Sequence, residues 1–563
     1  MAKIVVAIDL GTSRSAWAFS MKGRAEEEVI VRIPEGSLYS ASAGLKTETA
    51  ILLGSETGDV RAFGRAAREK FGLDETVHAS AAMLFRWFKV ALCEKRGYQS
   101  IYEPTAVAED GQKRPLIEVV SAALRHFKED ILAYMSTSSG VAVGVGDLIW
   151  ILTIPAIYDD FAKNFMRRAA HNADIISTVD SSQLRLCLEP EAACLAMNIK
   201  EAPRLCSPGS TIMIVDCGGG TVDITTHTIL SSKPLRLKEV LPPTGGPWGS
   251  TCVDKAFKDW LRAFLGTSNF DQMVHSAEFL SLMLQWEDAK TNYGGKSDDR
   301  VRLNVGEVAR ISGIDGSCMK GLRNSYNDGQ ASPASHVGGG KFIIVLPSSL
   351  VTSFFSASID RIGNCLEDLK NNNAIRNLSY VILVGGFSSS PLILSIARET
   401  FHRDDCTVIA ALRPDVAIVR GAVLFANNAA VFNTRKARLT YGVGCVTLYD
   451  KNDPGHVDNY PKYKAEPGED GKPRISVFSR HVAAGDDIPE DGGCQPKSYR
   501  PLWPSVSYVP IEILASHVKD IRFPNEDEHF KLGEVTVPLD MSVPFADRSV
   551  LVNFNFGGTE LSV

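Results

Sequence analysis

The sequence predicts an α/β protein of more than one domain, built on an internally repeated strand, turn and strand unit and followed by an antiparallel β-rich region. Three observations carry this reading. The stretches at 4–21 and 212–229 each read as an apolar strand with an aspartate near its end, a glycine turn and a strand running back. A third glycine turn closes the apolar run "YVILVGGFSSSPLI", where Ser388 to Ser390 offer an N-cap to a helix beginning near Pro391. After Asn428 short β-rich runs alternate with Gly, Pro and Asp clusters, the pattern of an antiparallel sandwich. At 563 residues and 44% hydrophobic content, the chain is too long for one core and can fill several.

The first hairpin lies in "KIVVAIDLGTSRSAWAFSM": Ile4 to Leu10 is the strand, Asp9 its carboxylate, Gly11, Thr12 and Ser13 the turn, and Ser15 to Met21 the return. An insertion follows from roughly Ile33 to Pro115, containing "GRAAREKFG" and "SAAMLFRWFKVAL", the latter reading as helix. The second hairpin, "IMIVDCGGGTVDITTHTI", has strands rich in Ile, Val and Thr around Gly218, Gly219 and Gly220. Lacking Cβ atoms and free to take positive φ, these glycines let successive backbone N–H groups converge on an anion. Asp216 and Asp223 would repel a phosphate directly, yet they can hold a hydrated Mg²⁺ beside it or orient a water toward it. Taken alone, the stretch also fits a plain glycine hairpin with solvated aspartates. The second copy favours the phosphate cradle. Another insertion runs from Leu241 to about Gly340 and ends in "SPASHVGGGK", which reads as an exposed loop. Its "GGGK" and the "GGKS" at 294–297 both lack the first glycine of a Walker A loop, which argues against P-loop chemistry.

Composition narrows the class further. With 60 Lys and Arg against 66 Asp and Glu, the net charge of −6 argues against a nucleic-acid partner. No run of eighteen apolar residues exists, so no membrane span is expected. The eleven cysteines are odd in number and contain no C-x-x-C pair, which indicates neither a disulfide framework nor a zinc ribbon. The first strand begins by Ile4, leaving no room for a leader, and a cytoplasmic location is the expectation.

These motifs, in this order, resemble the 70 kDa heat-shock chaperone family of the actin-like ATPase superfamily. Asp9-Leu10-Gly11-Thr12-Ser13 resembles its first phosphate motif, "CGGGTVD" its second, and "LVGGFSSSP" its adenosine motif. "WILTIPAIYDDFAKNFMRRAA" at 150–170 resembles its strand, proline switch and helix; "LEPEAACLA" and "RPDVAIVRGAVLFA" resemble its two connecting motifs. The "TGGPWGSTCVD" at 244–254, the "LTYGVG" after the ATPase region and the terminal "FGGTELSV" look most like the divergent 12A-like branch. The resemblance implies duplicated ribonuclease H-like lobes forming a nucleotide-binding domain over 1–427. Over 428–563 it implies an antiparallel β-sandwich, a substrate-binding-like domain, here without the family's helical lid. "RLTYGVGCVTLYD", "VSYVPIEILAS", "LGEVTVPLD" and "SVLVNFNF" are its candidate strands. ATP or ADP with Mg²⁺ is the implied cofactor set. Unfolded or client polypeptide and co-chaperones are the implied partners.

Site residues follow from the same resemblance. Asp9 and Asp216 match aspartates that organise Mg²⁺ through waters, and Glu189 the acid that joins this network. Gly11, Thr12, Ser13, Gly218, Gly219, Gly220 and Thr221 match the phosphate grip, and Asp223 the carboxylate that orients or deprotonates the attacking water. The family's essential lysine matches Lys89, with Arg86 as the alternative register. Glu287 and Lys290 match the ribose and adenine contacts, and Gly385, Gly386 and Asp415 complete that pocket. Pro155 and Lys163 match an interdomain switch. Thr291 and Ser389 stand where the family places adenine-stacking arginines, which implies weaker ATP binding. Plainer readings stand beside these. Asp9 and Asp216 could simply end strands, Glu189 could cap the helix after Pro190, Glu287 and Lys290 could form a surface ion pair three residues apart, and Trp248 could be core. The implied activity is a slow, chaperone-type ATPase; a nucleotide-sensing scaffold, a sugar or metabolite kinase of the same fold and an actin-like filament former are the alternatives.

Overall fold

The computed structural model describes residues 4–21, 29–33, 45–73, 82–93, 103–197, 207–232, 235–274, 276–306, 335–337, 341–401, 405–411, 413–426, 431–489, 492–524, 528–556 and 558–563. The chain divides into two units, the first from 1–94, 103–225 and 244–428, the second chiefly from 226–243 and 429–563.

In the first unit the opening hairpin sits inside a six-stranded sheet. Its path runs Leu184–Leu188, Leu148–Ile154, Ile4–Leu10, Arg14–Met21 and Ile30–Arg32, with Thr47–Glu48 also paired to Arg14–Met21. Ile4–Leu10 is parallel to Leu148–Ile154 and antiparallel to Arg14–Met21, where Asp9 faces Ala16. Six of its seven residues are buried, as expected of a central strand covered on both faces. A second set of strands repeats the plan: Thr407–Ala410, Leu378–Val384 and Thr211–Cys217 lie side by side and parallel, and the hairpin return begins at Val222. Asp216 faces Val384 there. In each set the strand carrying the aspartate has a parallel neighbour on one side and its own hairpin on the other.

Helices Glu189–Met197 and Ala417–Phe425 pack closely together. Gly421 makes the approach feasible, because a Cβ there would fall on the backbone of Ala192.

Three sequence expectations are corrected, two of them in the insertions. "SAAMLFRWFKVAL" is not a helix: Ala82–Arg86 is a strand antiparallel to Ala50–Gly54, Trp87 turns the chain with φ 52°, and Phe88–Leu92 forms one short 3-10 stretch. Its apolar residues suit either period, and the partner strand decides between them. Of "SPASHVGGGK", 332–334 and 338–340 lie outside the described residues, while Ser335–Val337 is a strand paired with Lys341–Pro347 rather than loop. The serine N-cap before Pro391 is not formed: Ser388 Oγ donates back to Gly385 O, and the buried Ser390 Oγ has no partner among the described residues. Helix Pro391–Phe401 does begin where expected.

The second unit holds a five-stranded antiparallel sheet in the order Lys464–Ala465, Arg474–Val482, Thr440–Leu448, Tyr508–Ser516 and His529–Pro538. A two-stranded ribbon, Lys497–Tyr499 with Val550–Val552, shares one apolar cluster with it through Val443, Ile513, Val552 and Phe554. Helix Pro454–Tyr463 is an element the β-rich reading missed. Asp453 caps it by accepting from Gly455 N at 2.9 Å, and Pro454 occupies its first turn.

Gly421→Ala is expected to destabilise the first unit by on the order of 1–3 kcal/mol through overpacking against Ala192. Chemical denaturation of the variant measures this, and unchanged stability would contradict the close approach.

Candidate functional site

The two hairpin turns meet. A Cβ on Gly220 would overlap the Thr12 side chain, and one on Gly219 the Ser13 side chain. None of Gly218, Gly219 and Gly220 takes a positive φ, contrary to the sequence expectation. Gly219 and Gly220 are glycines because the opposite turn fills the space where their side chains would stand. Gly385 is the glycine here that does need the left-handed region, with φ 82° and Cys217 backbone against it.

Hydrogen bonding gives both turns one polarity. The carbonyls of Gly218, Gly219 and Gly220 accept from the amides of Ser250, Thr251 and Gly249 at 3.2, 2.8 and 3.2 Å. On the other turn, Leu10 O accepts from Lys89 Nζ, Gly11 O from Thr49 Oγ1 at 2.7 Å and Ser13 O from Thr49 N at 2.8 Å. The amides of Thr12, Ser13, Gly219, Gly220 and Thr221 have no partner among the described residues. With carbonyls tied back and amides left over, the facing turns form an anion cradle.

A cavity of about 280 Å³ opens between them. Asp9, Gly11, Thr12, Ser13, Lys89, Glu189, Asp216, Gly218, Gly219, Gly220, Thr221, Glu287, Lys290, Gly385, Gly386 and Asp415 all line it, as do Arg86, Pro155, Thr291 and Ser389. Asp223 and Lys163 do not. Asp223 is fully buried and accepts from Ile157 N at 2.8 Å, while Lys163 lies 3.4 Å from Asp160. Trp248 is half-buried and lies off the cavity wall, so it is neither core nor lining.

Three buried carboxylates form the floor. Asp9, only 2% exposed, accepts from Thr153 Oγ1 at 3.1 Å and from Lys46 Nζ at 2.5 Å. Glu189 lies 3.9 Å from Lys89, and burial, with Asp9 and Asp223 nearby, pushes its carboxyl up to about 8 despite that lysine. Asp216 is raised well above the ordinary carboxylate range, first by burial and then by Glu189 and Asp223, and its Oδ1 has no hydrogen-bond partner among the described residues. Burial alone would lower the Lys46 ammonium; Asp9, with Glu189 and Asp216, outweighs it and holds the group above its ordinary value.

The far wall rests on Asp254, in helix Thr251–Leu265. Lys290 donates to both of its oxygens at 2.7 and 2.8 Å, and Trp286 Nε1 donates to one at 2.9 Å. Glu287 instead pairs with Arg14 at 2.9 Å, so the expected Glu287–Lys290 surface pair is not formed. Trp87 also lines the cavity, with the Arg86 guanidinium 4.6 Å and the Lys258 ammonium 4.5 Å from its ring centre. Sequence reasoning missed Lys46 and Trp87, and it gave no site role to Asp254, which closes "TGGPWGSTCVD", or to Ser390, which it read only as an N-cap within "LVGGFSSSP".

Human heat shock 70 kDa protein 12A is 28% identical to the chain, with 99% of the chain and 88% of that protein aligned. Human heat shock 70 kDa protein 12B is 26% identical over 100% and 88%. The chain is a homologue of the heat shock 70 kDa proteins 12A and 12B. Chaperone protein DnaK of Psychrobacter cryohalolentis is 24% identical over 84% of the chain and 67% of that protein. No family model matches the chain. The relationship implies the actin-like ATPase α/β fold, and the mixed sheets and helices of this heat shock 70 kDa homologue agree with it. Among its described residues no helix is long and apolar enough to cross a membrane.

The raised Glu189 carboxyl sets a pH signature. Between its ordinary value of 4.5 and about 8 the folded protein keeps a proton that the unfolded chain has lost, so stability is greatest below that window and falls as pH rises through it. Glu189→Gln is expected to remove about one proton from the pH dependence of unfolding. Denaturation of the nucleotide-free protein from pH 5 to pH 8 tests this; equal slopes in variant and wild type would contradict it.

Proposed function

We propose that the protein is a magnesium-dependent, chaperone-like ATPase of the heat shock 70 kDa type. The observation that carries this is the pair of facing turns whose amides are free and whose carbonyls are tied back, set over three buried carboxylates. The amides of Thr12, Ser13, Gly219, Gly220 and Thr221 would hold the phosphates. Lys290, Glu287, Gly385, Gly386 and Asp415 would line the nucleoside end, where the unpartnered Ser390 hydroxyl offers a further donor. Mg²⁺ fits the donor set: hard carboxylate oxygens on Asp9 and Asp216, one of them without a hydrogen bond, are what a hydrated cation requires. Held through water by these residues, it would supply charge neutralisation at the phosphate oxygens. The chain's own part is positioning. Glu189, kept proton-loaded at neutral pH in the empty site, would release that proton to solvent as the site fills and, so ionised, could accept one from the attacking water. Asp223, which holds Ile157 N, would fix that segment and act from behind the cavity wall.

In this reading residues 1–427 are the nucleotide-binding domain and 428–563 a β-sandwich that binds client polypeptide under nucleotide control, with co-chaperones as further partners. The core cluster shared by the five-stranded sheet and the ribbon supports a sandwich. The free thiols of Cys93, Cys217, Cys252, Cys365 and Cys445 support a reducing, cytoplasmic setting. A second reading, a nucleotide-sensing scaffold with little hydrolysis, is favoured by one observation: Lys46 already occupies the Asp9 carboxylate that magnesium water would use.

Single-turnover release of the γ-phosphate from bound ATP separates the two. Release by wild type with loss of about a hundredfold or more in Asp9→Asn supports the ATPase. Stable binding without release supports the scaffold, and the absence of nucleotide binding overturns both.

A further inference from the structure

We propose that Lys46 is the resident counter-ion of the phosphate cavity: it contacts bound phosphate directly and lets the site hold a nucleoside diphosphate without a divalent metal. The proposal deepens the nucleotide reading above and rests on it.

Position comes first. Lys46 lines the cavity beside both turns, and its side chain is 13% exposed. Its segment is fixed to the first turn by three bonds: Thr49 N to Ser13 O, Thr49 Oγ1 to Gly11 O, and the contact of Ser15 Oγ with Thr49 Oγ1 at 2.6 Å. Thr47 pairs with Ser15 in the sheet. The ammonium is therefore held by the same backbone that presents the amides of Thr12 and Ser13.

The donor count points to a ligand. An ammonium has three N–H bonds, and among the described residues only Asp9 accepts one, at 2.5 Å. Lys89, the other lysine on this floor, donates instead to the neutral Leu10 carbonyl and stands 3.9 Å from Glu189. Lys46 is thus the cation set directly on a carboxylate of the phosphate floor with donors to spare.

Charge gives the consequence. Each Asp9 oxygen already accepts one hydrogen bond, from Thr153 and from Lys46. A hydrated divalent cation therefore competes with the ammonium for this carboxylate, and phosphate entering without a metal meets a compact cation already in place. One side chain therefore favours metal-free phosphate and opposes metal at the same carboxylate. This makes the nucleotide affinity of the chain only weakly dependent on magnesium.

Calorimetric titration of the full chain with ADP, in magnesium and again in EDTA, tests this on wild type, Lys46→Met and Lys46→Arg. Wild type is expected to lose less than about tenfold in affinity on metal removal, Lys46→Met to bind more weakly than wild type in magnesium and to lose more than about tenfold further in EDTA, and Lys46→Arg to behave like wild type. ADP bound in magnesium by Lys46→Met shows that this variant is folded. Nucleotide binding with equal metal dependence in wild type and Lys46→Met overturns the role of Lys46 alone. Absence of ADP binding by every protein in both buffers overturns the nucleotide reading and this proposal with it.

Discussion

The structure of the site depends on a steric constraint, the direct contact of two backbone turns. Thr12 and Ser13 occupy the space that side chains at Gly220 and Gly219 would need, so the turns approach to backbone distance. That approach would be unfavourable if opposed carbonyls met. It is stable because the carbonyls of Gly218, Gly219 and Gly220 are satisfied from behind by the amides of Ser250, Thr251 and Gly249, and those of Leu10, Gly11 and Ser13 by Lys89 and Thr49. What is left facing inward is a set of donors. The same contacts join the second turn to helix Thr251–Leu265, and through Asp254 to Lys290 and Trp286 on the opposite wall. Stacking of Phe257 on Trp286, with ring centres 4.1 Å apart, then makes that wall part of an apolar core.

Such a floor is costly in the empty protein. Asp9, Glu189 and Asp216 lie almost out of water, and a carboxylate so buried either keeps a proton or finds a cation. Asp9 takes the second course through Lys46 and Glu189 the first, while burial raises the Asp216 carboxyl in the same direction. Buried titratable groups gathered in a cavity in this way are the pattern of a functional site.

Legibility in the sequence followed the range of the interaction. The hairpins, their aspartates and the glycine turns were readable because strand, turn and strand are contiguous, and the repeat of the pattern supported the α/β reading. The reason for the glycines was not readable: freedom in φ was expected, and a neighbour two hundred residues away is what requires them. Ala82–Arg86 read as helix because its pairing with Ala50–Gly54 is invisible locally. Lys46 and Asp254 were missed for a related cause. Each acquires meaning only from its partner, Asp9 or Lys290, and no local spacing announces a pair formed across the fold. Helix Pro454–Tyr463 differs, since its Asp-Pro start was in plain view but was outweighed by the β-rich runs on either side.

The setting of Trp87 has an optical consequence. Of the seven tryptophans it alone lines the cavity, held in a left-handed turn with a guanidinium and an ammonium each within 5 Å of its ring centre. An excited indole shifts its emission with the charges around it. The protein thus carries a native fluorophore in the wall of its own site, and any molecule that moves Arg86 or Lys258 changes the colour of the light it gives back.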